Sequence, residues 1–407
     1  MRDAPPEAPA GGSVAEVFRT FLKLGLTSFG GPIAHIGYYR RELVERRGWV
    51  DEGRFAQLLA ICQFLPGPAS SQLGFSLGLI RAGWGGALAA FAAFTLPSAL
   101  LLFAFAALLP HFSGTIGAAA LHGLKIVALA VVAHGVVGMA RQLCPDVPRA
   151  AIAIAAAAIL VLSSQAWMQV AVVALGAVAG LALCRHLQPV SGAPLHVPVS
   201  PRLGWMLLAT FGILLAGLPL AAAGREGLVA VFEAFYRAGA LVFGGGHVVL
   251  PLLEETVVAP GWISRDEFLA GYGAAQAIPG PMFALASYLG ARLPGAEGGV
   301  VGASVALAAI FLPGFLLVGG VLPLWRTVAG RPGAARAIAG VNAAVVGLLA
   351  AALYDPIFVS AVRSAADLAI GAVGFAMLMA WRLSPLWVVL WSVLASVAVA
   401  LLWGAPP

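Results

Sequence analysis

Charge is what this sequence has least of. Only 10% of its 407 residues are Asp, Glu, Lys or Arg, against about 25% in soluble domains, and lysine occurs only at Lys23 and Lys125. The segments 151–163, 170–184, 203–223 and 387–403 carry no charged residue at all. Their lengths approach the ~20 residues needed to cross ~30 Å of hydrocarbon. With 61% hydrophobic residues, no water-soluble fold can hide that much apolar surface. Cysteine is scarce too: Cys62, Cys144 and Cys184 stand far apart in apolar surroundings. That spacing excludes a disulfide framework or a cysteine metal site, and they read as buried thiols. Also lacking are a nucleophile–base set, carboxylates paired towards one cavity, and a Gly-rich phosphate loop ahead of Lys-Ser or Lys-Thr. A membrane enzyme and an ATP-driven pump are disfavoured, and neither cofactor nor metal is expected.

What charge there is sums to +6 and is nearly all arginine on the basic side. In a chain of this class, such an excess belongs to cytoplasmic loops and not to nucleic-acid binding. The Pro-, Ala- and Gly-rich start, 1–13, reads as a disordered tail. The first apolar stretch carries Arg19 and Lys23 and no small-residue cleavage site, so no cleavable signal peptide is expected.

The sequence repeats itself. Phe21-Leu-Lys-Leu-Gly25 and Phe29-Gly-Gly31 recur as Phe235-Tyr-Arg-Ala-Gly239 and Phe243-Gly-Gly245, a shift of 214. Gly48-Trp49, Phe55, Gln63 and Pro66-Gly-Pro68 recur as Gly261-Trp262, Phe268, Gln276 and Pro279-Gly-Pro281, a shift of 213. Leu96-Pro97 matches Leu312-Pro313, and Gly123-Leu-Lys125 matches Gly340-Val-Asn342. Conserved order over such distances marks two related halves, 14–185 and 228–403, joined by 186–227, a basic Pro-rich loop and one further apolar segment.

Each half holds six apolar pieces. The first, about 14–39, is interrupted at Phe29-Gly-Gly-Pro32, and the second, about 54–80, at Pro66-Gly-Pro68. Proline removes a donor and clashes with the preceding turn, while glycine permits the dihedrals of a sharp reversal. Each arm of the second piece spans ~18 Å as helix, so a re-entrant hairpin is as open as a kinked span. Loop charges bear on the choice. Arg40, Arg41, Arg46 and Arg47 follow the first piece, whereas the equivalent loop holds Glu254, Glu255, Asp266 and Glu267 with only Arg265. After the third piece the bias reverses, with Arg326, Arg331 and Arg336 in the second half. Since basic loops stay cytoplasmic, the halves read as inverted. Only with both broken pieces re-entrant do most arginines fall on one side; Arg225, Arg265, Arg292 and Arg363 are then external, the N-terminus cytoplasmic and the C-terminus outside. The expectation is an all-α polytopic membrane protein of two inverted-topology repeats with broken, re-entrant helices.

Irregular backbone at membrane depth belongs where it lines a polar cavity or is buried in protein, and inverted repeats place substrate at their interface. The chemistry at the breaks favours an anion. Pro32 and Pro68 each start a half-helix whose free N–H groups face the break. Gly30 and Gly31, with Gly244 and Gly245 opposite, let an anion approach the backbone, as do Pro66, Gly67 and Pro68 with Pro279, Gly280 and Pro281. Ser70 and Ser71 offer hydroxyl donors, whereas Met282 and Phe283 make the second side apolar. Lys23 and Arg237 occupy matched positions and either draw the anion or snorkel to the interface. Glu16 and Glu233 stand near them as local helix partners. His35 and His247 lie just beyond their breaks as donors, proton carriers or structural hydrogen-bonding groups. Gln63 and Gln276 either contact substrate or satisfy freed backbone. Lys125, matched by Asn342, needs a partner or a wet cavity and is placed on the pathway. Pro97 and Pro313 are expected to kink the third piece.

Phe29-Gly-Gly-Pro32 with His35 nearby, Gly48-Trp49, Phe55, Pro66-Gly-Pro68 and Leu96-Pro97 together closely resemble the chromate ion transporter family, and both halves carry the pattern. The resemblance implies the long two-domain type of that family. It further implies export of chromate across the bacterial inner membrane, chromate resistance, and coupling to the membrane potential or to protons. Sulfate shares the charge and tetrahedral shape of chromate, so a sulfate importer or exchanger is the companion reading, with an anion channel beside it. The expected partners are the oxyanion, protons as a candidate coupling ion and the lipid bilayer; a homodimer is among the assemblies open to it. The second half departs from the family pattern at Gly244-Gly-Gly-His247 and at Met282-Phe283.

Overall fold

A computed structural model describes residues 12–29, 31–112, 114–163, 167–185, 187, 197–224, 226–243, 249–325 and 332–403. The described residues form helices joined by turns and short irregular links, with no strand among them. Among the described residues, six helices are long and apolar enough to cross a membrane: Ala69–His111, Gly114–Leu143, Pro201–Ala222, Gly299–Leu324, Gly333–Ala361 and Pro385–Leu402. The protein is therefore an all-α multi-pass membrane protein.

The first half opens with α1 (Val14–Thr27), started by the Ser13 hydroxyl, which accepts from the Glu16 N–H. It stops at Ser28, and α2 (Gly31–Tyr39) resumes the helix and widens into a π turn over Arg40–Arg46. Next comes α3 (Glu52–Phe64), capped by Asp51. It ends at Leu65 because the residue before proline is pushed out of the helical region. After Pro66-Gly-Pro68 the chain enters α4 (Ala69–Leu108). Pro68 is the N-cap of α4 and not its first helical residue, which still leaves the N–H groups of the first turn free. This element is two helices in one: Ala82 and Gly83 leave helical dihedrals, with φ at 63° for Gly83. The reversal brings Gly78 against the Gly86 carbonyl. Dihedrals stay helical through Pro97, so the bend lies at Gly83.

The remainder of the first half is α5 (Gly114–Leu143), α6 (Val147–Leu162) and α7 (Trp167–Leu183); α8 (Pro201–Ala222) links the halves. The second half repeats the order with α9 (Leu228–Ala240), α10 (Val249–Val257), α11 (Arg265–Ala275) and α12 (Leu285–Ala291). It closes with α13 (Gly299–Val321), α14 (Pro332–Ala352), α15 (Ala365–Met379) and α16 (Pro385–Trp403).

Packing follows the repeat. Helix α1 lies on α4, with Gly25 against the Ala93 and Phe94 carbonyls, and α9 lies on α13, with Gly239 against the Ile310 carbonyl. Farther along, the halves exchange partners: α5 packs on α15 and α16 of the second half, while α14 packs on α6 and α7 of the first. Along α5 and α15 the contacts advance together, from His122–Asp367 through Ile126–Gly371 to Ala130–Gly374, so these helices run parallel. Along α14 and α7 they run in opposite senses, Gly340 meeting Gly180 and Ala344 meeting Gly176. The core is consequently shared between the halves. Phe235, Tyr236, Tyr272 and Phe283 are buried with Ala99, Leu102 and Ile126 of the first half.

Candidate functional site

The breaks of the two halves meet, and they meet reciprocally. The Gly67 N–H donates to the Val242 carbonyl at 2.7 Å, and the Gly280 N–H donates to the Ser28 carbonyl at 3.0 Å. Val242 is the repeat equivalent of Ser28, and Gly280 of Gly67. Each Pro-Gly-Pro turn thus satisfies the interrupted first helix of the other half. Glycine is required at both turns: φ is +117° at Gly67 and +108° at Gly280, values that side-chain-bearing residues rarely adopt. A Cβ at Gly280 would lie 2.7 Å from Ser98 Oγ, and one at Gly67 would lie 3.1 Å from Gly314 Cα. Ser98 and Gly314 are themselves repeat equivalents, each just after the proline of α4 or α13. Proline removes the N–H that would bond the carbonyl four residues back, and here the residue behind it contacts the opposite turn.

Around this junction the first half supplies the polar atoms. His35 is fully buried; its Nδ1 lies 3.5 Å from Ser70 Oγ, and its ring meets Phe94 edge-on. Gln72 Nε2 donates to the Pro66 carbonyl at 2.8 Å and to the Gly314 carbonyl at 3.1 Å, bracing the first turn against α13. Ser98 Oγ donates to the Thr95 carbonyl. Ser28 Oγ, His35 Nε2, Ser71 Oγ, Gln72 Oε1 and Thr95 Oγ1 are buried with no hydrogen-bond partner among the described residues. A buried polar atom left unpaired costs about 1–3 kcal/mol, so several in one place call for a purpose. Three are hydroxyls and one is a ring nitrogen, so four of the five can donate to an oxyanion.

Among the described residues, the second half answers these six polar positions with apolar ones. Ser28, Ser70, Ser71, Gln72, Thr95 and Ser98 are answered by Val242, Phe283, Ala284, Leu285, Phe311 and Gly314. Phe75 stacks on Phe315 at 4.5 Å, and Phe91 packs on Phe311 and Phe315 at 5.0 and 4.8 Å. The polar atoms come from the first half, and the phenylalanine cluster is shared between α4 and α13.

The remaining residues singled out by sequence fall elsewhere. Lys23 is half-exposed and bonds Glu42 at 3.3 Å, beside Arg46 and Arg47. Burial alone would raise the Glu42 carboxyl, but hydrogen bonds from Arg47, Lys23 and Arg46 outweigh it and hold the group below the ordinary range. Arg237 is half-exposed and pairs with Glu233 at 2.8 Å. Gln63 is exposed, whereas Gln276 is buried with Nε2 3.9 Å from Met282 Sδ. Lys125 is buried in α5 and reaches Asp266 at 2.6 Å. Gly31 begins α2, and Pro66, Pro68, Pro279 and Pro281 frame the two turns. Gly30, Gly244, Gly245 and His247 lie outside the described residues. A separate cavity of about 530 Å³ is lined by Glu254, Glu255, Asp355 and Arg265; its excess of carboxylates has the wrong sign for an anion. Among the described residues no group of His, Cys, Asp and Glu is arranged to hold a metal ion.

Sequence reading missed Ser28, Thr95 and Ser98. The signal lay in the repeat itself, since polar residues of the first half replaced by apolar ones in the second single out all three.

The family model described as chromate transporter matches residues 15–181 and again 229–397. The chain belongs to the chromate transporter family. Its two matched regions carry one reciprocal turn each, so both halves of the junction are family sequence. A chromate transport protein from Pseudomonas aeruginosa is 31% identical over 403 residues, covering 93% of this chain and 91% of that protein. A probable chromate transport protein from Synechococcus elongatus is 30% identical, covering 84% of each. One from Cupriavidus metallidurans is 26% identical, covering 89% of this chain and 88% of its own. No solved structure matches.

Proposed function

We propose that the chain is a secondary transporter that exports chromate across a bacterial inner membrane and thereby confers chromate resistance. The observation that carries this reading is the set of buried first-half donors at the reciprocal junction, in a chain of the chromate transporter family. Hydroxyl and imidazole donors bond a tetrahedral oxyanion in place of its water, and among the described residues no Lys or Arg is buried with them to hold the ion too tightly to leave.

The halves are inverted repeats in this reading. Helix α5 runs parallel to α15, and α14 antiparallel to α7. If the chain reverses between the end of the Gly333–Ala361 span and α15, α5 and α14 point in opposite directions. The junction is then the pivot of an alternating-access motion about a central site. Outward movement of a dianion from a cell that is negative inside releases roughly 4.6 kcal/mol per 100 mV, twice the value for one charge. The membrane potential therefore favours export without a second ion.

Purified protein in proteoliposomes, loaded with labelled chromate and given an imposed potential, tests the reading. Chromate leaving the negative compartment faster than from protein-free vesicles is the expected result, with loss in Ser71→Ala. Failure of chromate either to move or to compete with sulfate ends it. Movement of sulfate alone transfers the same site to the other dianion.

A further inference from the structure

The cross-half contact at Lys125 has a composition that a structural ion pair does not need. Lys125 sits in α5 with its side chain 6% exposed, whereas its partner Asp266, the second residue of α11, is 58% exposed. The buried member cannot leave; the exposed member can. Asp266 spans two cations with its two oxygens, Oδ1 at 2.6 Å from Lys125 Nζ and Oδ2 at 3.7 Å from Arg363. Two oxygens of a tetrahedral dianion can occupy the same places.

The neighbouring charges are already committed. Asp367 accepts from His122 Nε2, the Arg363 and Ser364 N–H groups and Ser364 Oγ, so it is fixed and fully used. Arg265 pairs with Glu254 and Asp355, and Glu267 with Arg292. Asp266 is held by Lys125 and Arg363 alone among the pairs formed by the described residues. In the repeat its position is Gly53, and that of Lys125 is Asn342, so this device, like the polar junction, exists once.

We infer that Lys125 and Arg363 form a second oxyanion site at the charged end of the half–half interface, and that the Asp266 carboxylate is its resident occupant. The inference rests on the proposed transport of a dianionic oxyanion. An arriving dianion competes with Asp266 and replaces it; a buried ammonium keeps an anionic partner throughout, so the exchange avoids leaving an unpaired charge. Displacement removes the tie between the first turn of α11 and α5, while Arg265 and Glu267 keep their own partners. The opposite end of α11, ~15 Å away at 1.5 Å per residue, leads into Pro279-Gly280-Pro281, whose N–H holds Ser28. Occupation of the outer site is thereby linked to the turn that borders the central one.

Binding of radiolabelled chromate, and separately of radiolabelled sulfate, to detergent-purified protein tests this, with size-exclusion profiles checking that each variant is folded. Asp266→Asn removes the competitor and is expected to tighten binding on the order of tenfold, the effect of ~1.4 kcal/mol. Lys125→Gln weakens it by a similar factor, and the Lys125→Gln/Asp266→Asn pair shows no gain over Lys125→Gln. Wild-type binding of chromate that Asp266→Asn leaves unchanged or weakens overturns this site and leaves the proposed function standing. Binding of neither dianion by wild type or by Asp266→Asn overturns both. Where Asp266→Asn does not stay folded, Lys125→Gln decides: unchanged affinity overturns the inference.

Discussion

Replacing Gly280 by alanine probes the junction directly, because it adds one methyl where the two halves touch. The left-handed φ of +108° costs an L-residue about 1–2 kcal/mol. The new Cβ would lie 2.7 Å from Ser98 Oγ and 3.0 Å from Ser98 Cβ, and overpacking of that kind costs about 1–3 kcal/mol. Together these predict a loss of about 2–5 kcal/mol in stability, and a fall in transport on the order of tenfold or more, since the Gly280 N–H can no longer sit on the Ser28 carbonyl. Ser98→Gly is the designed compensation, because the repeat already has Gly314 there. It removes the steric part and itself costs ~1 kcal/mol as a helix glycine, so the Ser98→Gly/Gly280→Ala protein recovers about 1 kcal/mol over Gly280→Ala. Gly67→Ala is expected to be comparably costly: φ is +117°, and the new Cβ would lie 2.9 Å from Gln72 Nε2, which holds the Pro66 and Gly314 carbonyls, and 3.1 Å from Gly314 Cα. Thermal unfolding in detergent and chromate flux in proteoliposomes measure the two effects. A Gly280→Ala protein as stable and active as wild type, or one indifferent to Ser98→Gly, refutes the reciprocal-turn argument.

Ser71→Ala and Thr95→Ala are expected to lower chromate affinity while leaving thermal stability unchanged or raised, since each deletes a buried hydroxyl that lacks a partner and whose burial costs about 1–3 kcal/mol; a melting temperature lowered as much as the affinity would instead mark them as structural. Asp367→Asn strips charge from a buried acceptor of four hydrogen bonds and should destabilise by about 3–5 kcal/mol, read as an earlier unfolding transition. Because three cations hold Glu42 below the ordinary range, its stabilising contribution is complete above the usual glutamate value of about 4.3 and is lost as pH falls through the lowered one. Glu42→Gln should therefore flatten the acid limb of the stability–pH curve; an unchanged acid limb would show that the Lys23–Glu42–Arg47 tie contributes nothing.

Much of this architecture can be read from the residues before any coordinates. The bilayer follows from the scarcity of charge, and the breaks follow from Phe29-Gly-Gly-Pro32 and Pro66-Gly-Pro68, because proline and glycine act locally. What cannot be read locally is which turn meets which break: Gly67 and Val242 are 175 positions apart, by their numbers, and only tertiary packing joins them. Lys125 was recognisable as a residue in need of a partner, yet nothing in its vicinity along the chain names Asp266. Conversely, Lys23 and Arg237 stood out because the repeat preserves them. Their nearest carboxylates, Glu42 and Glu233, are largely buried and hold these half-exposed cations in ion pairs.

The duplication has kept the scaffold and let the chemistry diverge. Both halves retain the glycine turn, the proline inside α4 or α13, and the close approach of Gly25 or Gly239 to a carbonyl, because these fix backbone geometry. Side chains facing the junction are free of that constraint. A site with donors on both sides would surround a dianion and hold it through the pivoting motion. In the proposed function, donors from the first half would give the ion a face to bind, and the phenylalanine cluster beside them a barrier to cross. That reading calls for a carrier rather than an open pore. It follows that introducing hydroxyls at Val242 and Phe311, which would restore chemical symmetry, should trap the oxyanion rather than speed its passage.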